Sequence, residues 1–224
     1  MRHPATLDAA RAEVAAALEA CGVVGVIRMR DPRKLRSVVA ALADGGVTAI
    51  EVTMTVPGAA DIIGDLAASL PDRFLLGAGT VLDAATARRV IDAGARFVVS
   101  PVFRQEIVAA AHERGAAAAP GCFSPTEMLA AHEAGADFVK VFPATALGPG
   151  FIKDVRGPLP QLRLMPTGGV TIENAGDWIG AGAAVVGVGS ALVDAEAIDG
   201  GRFTIITEKA RRIVANVAAA RARR

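Results

Sequence analysis

Asp92-Ala93-Gly94-Ala95-Arg96-Phe97-Val98-Val99-Ser100 reads as a helix end, a glycine turn and a short strand. Gly94 suits the left-handed position that ends a helix and that other residues resist. The apolar run after it suits a strand of a parallel sheet, buried on both faces. The same unit recurs at Ala43-Asp44-Gly45-Gly46 before Val47–Val52, at His112-Glu113-Arg114-Gly115 before Ala116, at His132-Glu133-Ala134-Gly135 before Phe138, and at Gly180-Ala181-Gly182 before Val185. Working outward, the apolar segments 23–28, 47–53, 73–78, 96–100, 116–120, 137–142, 162–166 and 184–188 are eight candidate strands. Alanine-rich helical stretches separate them, and a closing helix is expected at about 202–220. Eight strands with seven intervening helices predict an α/β fold, a (β/α)8 TIM barrel. A doubly wound open sheet is the alternative, though it usually needs fewer strands at this length. No Pro/Ser-rich linker divides the chain, so residues 1–224 read as one domain, with residues 1–21 an extra N-terminal helix whose apolar positions are Leu7, Val14 and Leu18.

In a barrel of this kind, chemistry gathers where strands end and the following loops begin. Read in order, those ends hold Arg28, Glu51, Gly77-Ala78-Gly79-Thr80, Ser100-Pro101, Pro120-Gly121-Cys122, Lys140, Pro166-Thr167-Gly168-Gly169 and Gly187-Val188-Gly189-Ser190. Nearly every polar or glycine exception to the apolar pattern falls at this rim, which marks it as a site.

Lys140 is the sharpest exception. Alternation along Phe138-Val139-Lys140-Val141-Phe142-Pro143 puts the lysine on one face with Phe138 and Phe142. An ammonium there is poorly solvated, which lowers its pKa, and a neutral amine in a dry pocket is the nucleophile that carbonyl chemistry needs. Glu51 shares a face with Ala49 and Thr53 and faces inward as well, so the pair supplies a Schiff-base nucleophile and a proton shuttle. The plain alternatives are a structural salt bridge between the two, or a strand-end lysine that reaches water. The Gly168-Gly169 and Gly189-Ser190 segments, each read as opening a helix, would offer free backbone N–H groups to a phosphate; the alternative is an ordinary tight turn.

Other features exclude more than they suggest. The formal net charge of +1 speaks against a nucleic-acid partner. No uncharged apolar run approaches the ~18 residues of a membrane span. Cys21 and Cys122 fit neither a disulfide framework nor a zinc spacing, so reduced thiols in a cytoplasmic protein are expected, with Cys122 a packing residue. His3, His112 and His132 are expected to be solvated and lack metal-ligand spacing, so no metal is expected. Trp178 is expected in the core, and Arg221-Ala222-Arg223-Arg224 as a solvated helix end.

Six blocks, in order and with the expected spacing, then carry a resemblance: Ile50-Glu51-Val52-Thr53, Gly77-Ala78-Gly79-Thr80-Val81, Ser100-Pro101, Pro120-Gly121, Phe138 to Ala144, and Pro166-Thr167-Gly168-Gly169-Val170. From about Gly22 to Arg212 the chain resembles the 2-keto-3-deoxy-6-phosphogluconate (KDPG) aldolase family, which includes 4-hydroxy-2-oxoglutarate (KHG) aldolases. The resemblance implies a class I lyase of the Entner–Doudoroff type, commonly a homotrimer, with no cofactor and a 2-keto sugar acid phosphate as substrate. It implies Lys140 as Schiff-base lysine and Glu51 as general acid/base. Thr80, Pro101, Phe142 and Thr167 resemble the residues around the pyruvyl half, and Gly168, Gly169, Gly189 and Ser190 those at the phosphate end. Many members carry arginine four residues after the glutamate. Thr55 stands there in this chain, and Arg28 is the expected replacement for the lost charge. The resemblance leaves KHG and 2-keto-3-deoxy-6-phosphogalactonate as alternative substrates. Rival readings are a phosphate-binding barrel isomerase or synthase, and a non-catalytic sugar-phosphate sensor.

Overall fold

The computed structural model describes residues 4–29 and 31–223. Residues 1–3 of the expected N-terminal helix, with His3, lie outside the described residues, as does Arg224. Helix α1 (Pro4–Cys21) leads into strand β1 (Val23–Ile27). The chain then alternates through α2 (Leu35–Asp44), β2 (Ala49–Thr53), α3 (Ala59–Ser69), β3 (Leu75–Gly79), α4 (Ala84–Asp92), β4 (Phe97–Val99), α5 (Gln105–His112) and β5 (Ala117–Ala119). Next come β6 (Gly121–Cys122), α6 (Pro125–Glu133), β7 (Val139–Val141), α7 (Gly148–Arg156), β8 (Leu164–Pro166), α8 (Ala175–Gly180) and β9 (Val186–Val188), and the chain closes with α9 (Ala195–Asp199) and α10 (Phe203–Ala222).

All strand pairings are parallel and curl in one direction. One sheet runs β5-β4-β3-β2-β1-β9 and the other β6-β7-β8, with a lone parallel bridge between Thr167 and Gly187. The expected fifth strand, 116–120, is found as β5, and a short strand not expected from the sequence, β6, follows Pro120. Pro120 has no N–H for a ladder, yet its carbonyl still accepts from the Lys140 N–H at 2.9 Å. The parallel hydrogen bonding to β7 therefore takes in the proline.

Side-chain alternation sorts the strands into two layers. Val24, Ala49, Leu75, Phe97, Ala117, Ala119, Phe138 and Met165 pack together on the inner face, where Val14, Ala15 and Leu18 of α1 join them. The other face, with Ile50, Val52, Leu76, Val98, Val139, Val141 and Val186, packs against the helices together with the buried Trp178.

Two solvated expectations are corrected. His112 is half-buried: its Nε2 lies 3.2 Å from the Asp137 carboxylate and 3.1 Å from Arg11 Nη1. That carboxylate also accepts the Ala118 N–H at 2.9 Å, so the cluster ties α1 to the sheet. His132 is half-buried too. Arg221 turns back onto the end of α1, donating to the carbonyls of Ala20 at 2.8 Å, of Ala184 at 3.0 Å and of Glu19. A guanidinium has five donors, and carbonyls left free at the end of α1 take several of these.

Candidate active site

Lys140 lies at the centre of β7, paired in register with Gly121 on one side and Met165 on the other. It is 5% exposed, and its ammonium sits 4.8 Å from the centroid of the Phe142 ring. Burial pushes its pKa down; the Glu51 charge resists that shift and the Arg28 charge adds to it. Glu51, in β2, is 1% exposed. Burial pushes its carboxyl up, against the pull of Lys140 and Arg28. Both groups are therefore drawn toward their neutral forms by the same cause, removal from water. Among the described residues no ion pair within 4.0 Å joins them. Glu51 Oε2 is fully buried without a hydrogen-bond partner. The salt-bridge alternative is thus not the arrangement found: two ionisable groups stand buried and unpaired beside one cavity.

Glycines make the room that these side chains use. A Cβ built on Gly79 of β3 would fall 1.8 Å from Glu51 Oε1, and one on Gly187 of β9 would fall 2.3 Å from Thr167 Oγ1. Gly77 likewise lies beneath the Phe97 ring, 2.3 Å from where a Cβ would be. Sequence reasoning placed Gly77, Gly79 and Gly187 at the rim without this role. The available signal was the register that sets the β2 carboxylate beside a strand containing two glycines.

Thr80 follows β3 with φ of 58°, the left-handed region, which costs a β-branched residue on the order of 1–3 kcal/mol. Such strain persists where the surroundings demand it, and Thr80 lines the cavity.

That cavity, about 340 Å³, brings together the residues given catalytic, substrate or phosphate roles from the sequence: Lys140 and Glu51, then Arg28, Thr80, Pro101 and Phe142, then Thr167, Gly168, Gly169, Gly189 and Ser190. Arg28, just past β1, is exposed. The glycine segments do not open directly into helices as expected. Turns intervene, and α8 and α9 start at Ala175 and Ala195. After Gly169, Thr171 and Asn174 bond to each other's backbone N–H groups at 2.8 and 3.2 Å and form a turn first. The N–H groups of Gly169, Val170, Ser190 and Ala191 nonetheless donate no hydrogen bond within the described residues, so the segments keep free donors.

The Cys122 thiol is buried and donates to the Glu127 carbonyl at 3.4 Å. Burial, with the Glu127 charge second, pushes it up to about 12, which makes it a packing residue rather than a nucleophile. Among the described residues no His/Cys/Asp/Glu group is arranged to hold a metal ion, and no helix is long and apolar enough to cross a membrane.

An inward lysine and carboxylate beside a cavity with free N–H groups can form an imine, move protons and hold an anion. Comparison with known proteins agrees with that chemistry. Residues 14–209 match the family model described as KDPG and KHG aldolase. A probable 2-dehydro-3-deoxy-6-phosphogalactonate aldolase of Rhizobium meliloti is 38% identical over 171 residues, covering 76% of this chain and 81% of the relative. A 2-dehydro-3-deoxy-phosphogluconate aldolase of Pseudoalteromonas atlantica is 34% identical over 197 residues, 88% of this chain and 91% of the relative. A crystal structure of the KDPG aldolase of Legionella pneumophila, with pyruvate captured as a covalent carbinolamine, superposes with a TM-score of 0.83 at 32% identity, covering 89% of this chain and 97% of that one. The matched span takes in all the strands and the whole cavity, and the chain belongs to the KDPG and KHG aldolase family, whose members are lyases.

Proposed function

We propose that this chain is a class I aldolase that cleaves 2-keto-3-deoxy-6-phosphogluconate to pyruvate and glyceraldehyde 3-phosphate. The observation that carries the reading is the buried Lys140 and Glu51, not ion-paired to each other, lining one cavity. The neutral Lys140 amine attacks the C2 carbonyl of the substrate, and the carbinolamine loses water to give a protonated imine. Glu51 relays the protons of that dehydration and then removes the proton of the C4 hydroxyl. The C3–C4 bond breaks, its electron pair flows into the imine, and the aldehyde leaves. The enamine that remains is protonated at C3 and hydrolysed to pyruvate, which returns the free amine.

Arg28, Thr80 and Thr167 orient the carboxylate and hydroxyls, with Arg28 standing in for the arginine absent at Thr55. Phe142 and Pro101 keep the imine dry. The free N–H groups beside Gly168, Gly169, Gly189 and Ser190 hold the phosphate. In this reading residues 1–224 are one domain, a closed (β/α)8 barrel with α1 as an added helix at its foot. The strand continuity through Pro120 and the Thr167–Gly187 bridge support closure. The protein works as a cytoplasmic homotrimer.

The galactonate epimer is a second reading, supported by the 38% identity to the Rhizobium relative. Both epimers yield the same products, so only the fit around carbon 4 separates them. The test is kcat/KM for the two C4 epimers and for 4-hydroxy-2-oxoglutarate. The proposal predicts the highest value for the gluconate compound and competition by inorganic phosphate. A galactonate preference transfers the assignment to the epimer, and a preference for 4-hydroxy-2-oxoglutarate without phosphate competition removes the phosphate site.

A further inference from the structure

The Thr53 side chain is fully buried, with its hydroxyl 3.2 Å from the carbonyl oxygen of Ile27 and 2.7 Å from Thr55 Oγ1. A hydroxyl carries one proton. A carbonyl only accepts, so Thr53 donates to Ile27, and the proton in the short contact must come from Thr55. The order is Thr55 to Thr53 to Ile27, and Thr55 Oγ1 is left able only to accept. Thr55 is exposed and lines a second cavity of about 660 Å³, which Arg28 also lines. The two cavities meet at Arg28, Val193 and Ala195. Ile27 directly precedes Arg28, and no hydrogen bond or ion pair holds the Arg28 guanidinium within the described residues.

We propose that Thr55 is a positioning residue for Arg28. With substrate bound, its oriented hydroxyl accepts a hydrogen bond from the guanidinium, while Thr53 pins the Ile27 carbonyl and with it the backbone that carries Arg28. The inference rests on Arg28 holding the substrate carboxylate and adds the residue that aims it. Threonine at this position is then no mere loss of a charge: it is an acceptor matched to an arginine supplied by the neighbouring strand.

The test compares Thr55→Val, which keeps the shape and removes the hydroxyl, with Thr55→Ser, which keeps the hydroxyl. Steady-state cleavage of 2-keto-3-deoxy-6-phosphogluconate is read alongside the NMR order parameter of the Arg28 Nε–Hε bond in the pyruvate-bound enzyme. Thr55→Val should raise KM on the order of tenfold with kcat within about twofold, as expected for one lost hydrogen bond to a charged group. It should also loosen the Arg28 guanidinium, and Thr55→Ser should restore both. An unchanged order parameter in Thr55→Val, or a Thr55→Ser variant as impaired as the valine, overturns the inference. Arg28→Ala separates the layers. If it raises KM and Thr55→Val does not, only the positioning role fails. If it leaves KM unchanged, the carboxylate role fails, and the order parameter alone decides whether Thr55 aims Arg28.

Discussion

Glu51 is the residue on which the proton transfers depend, and its surroundings explain why a carboxylate is tolerated in the middle of a buried strand. One oxygen lies over Gly79, and the other faces no partner at all. A buried acceptor left unpaired costs about 1–3 kcal/mol, a cost that a structural role would not explain. Glu51→Gln keeps the shape and removes the base. It should lower kcat on the order of 10²–10⁴ with secondary structure retained, read by steady-state cleavage and circular dichroism. Full activity in that variant would assign the base elsewhere. The inward positions of Lys140 and Glu51 were legible in the sequence because each breaks an apolar alternation. The contact between the Thr53 and Thr55 hydroxyls was not legible, because two threonines two residues apart also suit any β-strand.

At the scale of elements, β2 and β3 form one device. Their register sets Glu51 opposite Gly77 and Thr53 opposite Gly79. A Cβ at position 79 would collide with the carboxylate, so Gly79→Ala should displace Glu51, lose most activity and destabilise by about 1–3 kcal/mol. Gly150 of α7, with nothing within 4 Å of a built Cβ, is the matched control, and Gly150→Ala should leave turnover unchanged. Thermal unfolding and kinetics on the two variants check both statements. Strand existence was readable from apolar runs bounded by glycine turns. What resisted reading was where the strands break and where the helices after the glycine segments begin. Pairing resumes in β6 beyond Pro120, where the fifth strand was read as ending, and the Thr171–Asn174 turn delays α8, an effect of local hydrogen bonds rather than of hydrophobic pattern.

For the whole molecule, the site is an inner layer that turns polar toward one end. The apolar part, from Val24 to Met165, is covered by Val14, Ala15 and Leu18 of α1, and α1 is anchored by a cluster of Arg11, Asp137 and His112, of which His112 was read from the sequence as solvated. Side chains from distant segments met there, which no local periodicity announces. Burying Lys140 has a thermodynamic consequence for the whole fold. Its folded pKa lies below the ordinary value of 10.5, so between the two values the unfolded chain binds more protons. Stability therefore rises with pH across that window, and the cost of burial is fully present below it. In a Glu51→Gln background, which removes the opposing charge, adding Lys140→Met should raise Tm at neutral pH. That advantage should shrink as pH approaches 10.5, and an advantage independent of pH would contradict the buried-amine account. The central claim, that Lys140 forms the imine, is tested most directly by intact-mass spectrometry after mixing the protein with pyruvate and sodium borohydride, followed by peptide mapping. The account predicts a single pyruvyl-derived mass on the peptide containing Lys140 and none in Lys140→Ala. An unmodified folded protein, or an adduct on another lysine, would contradict it.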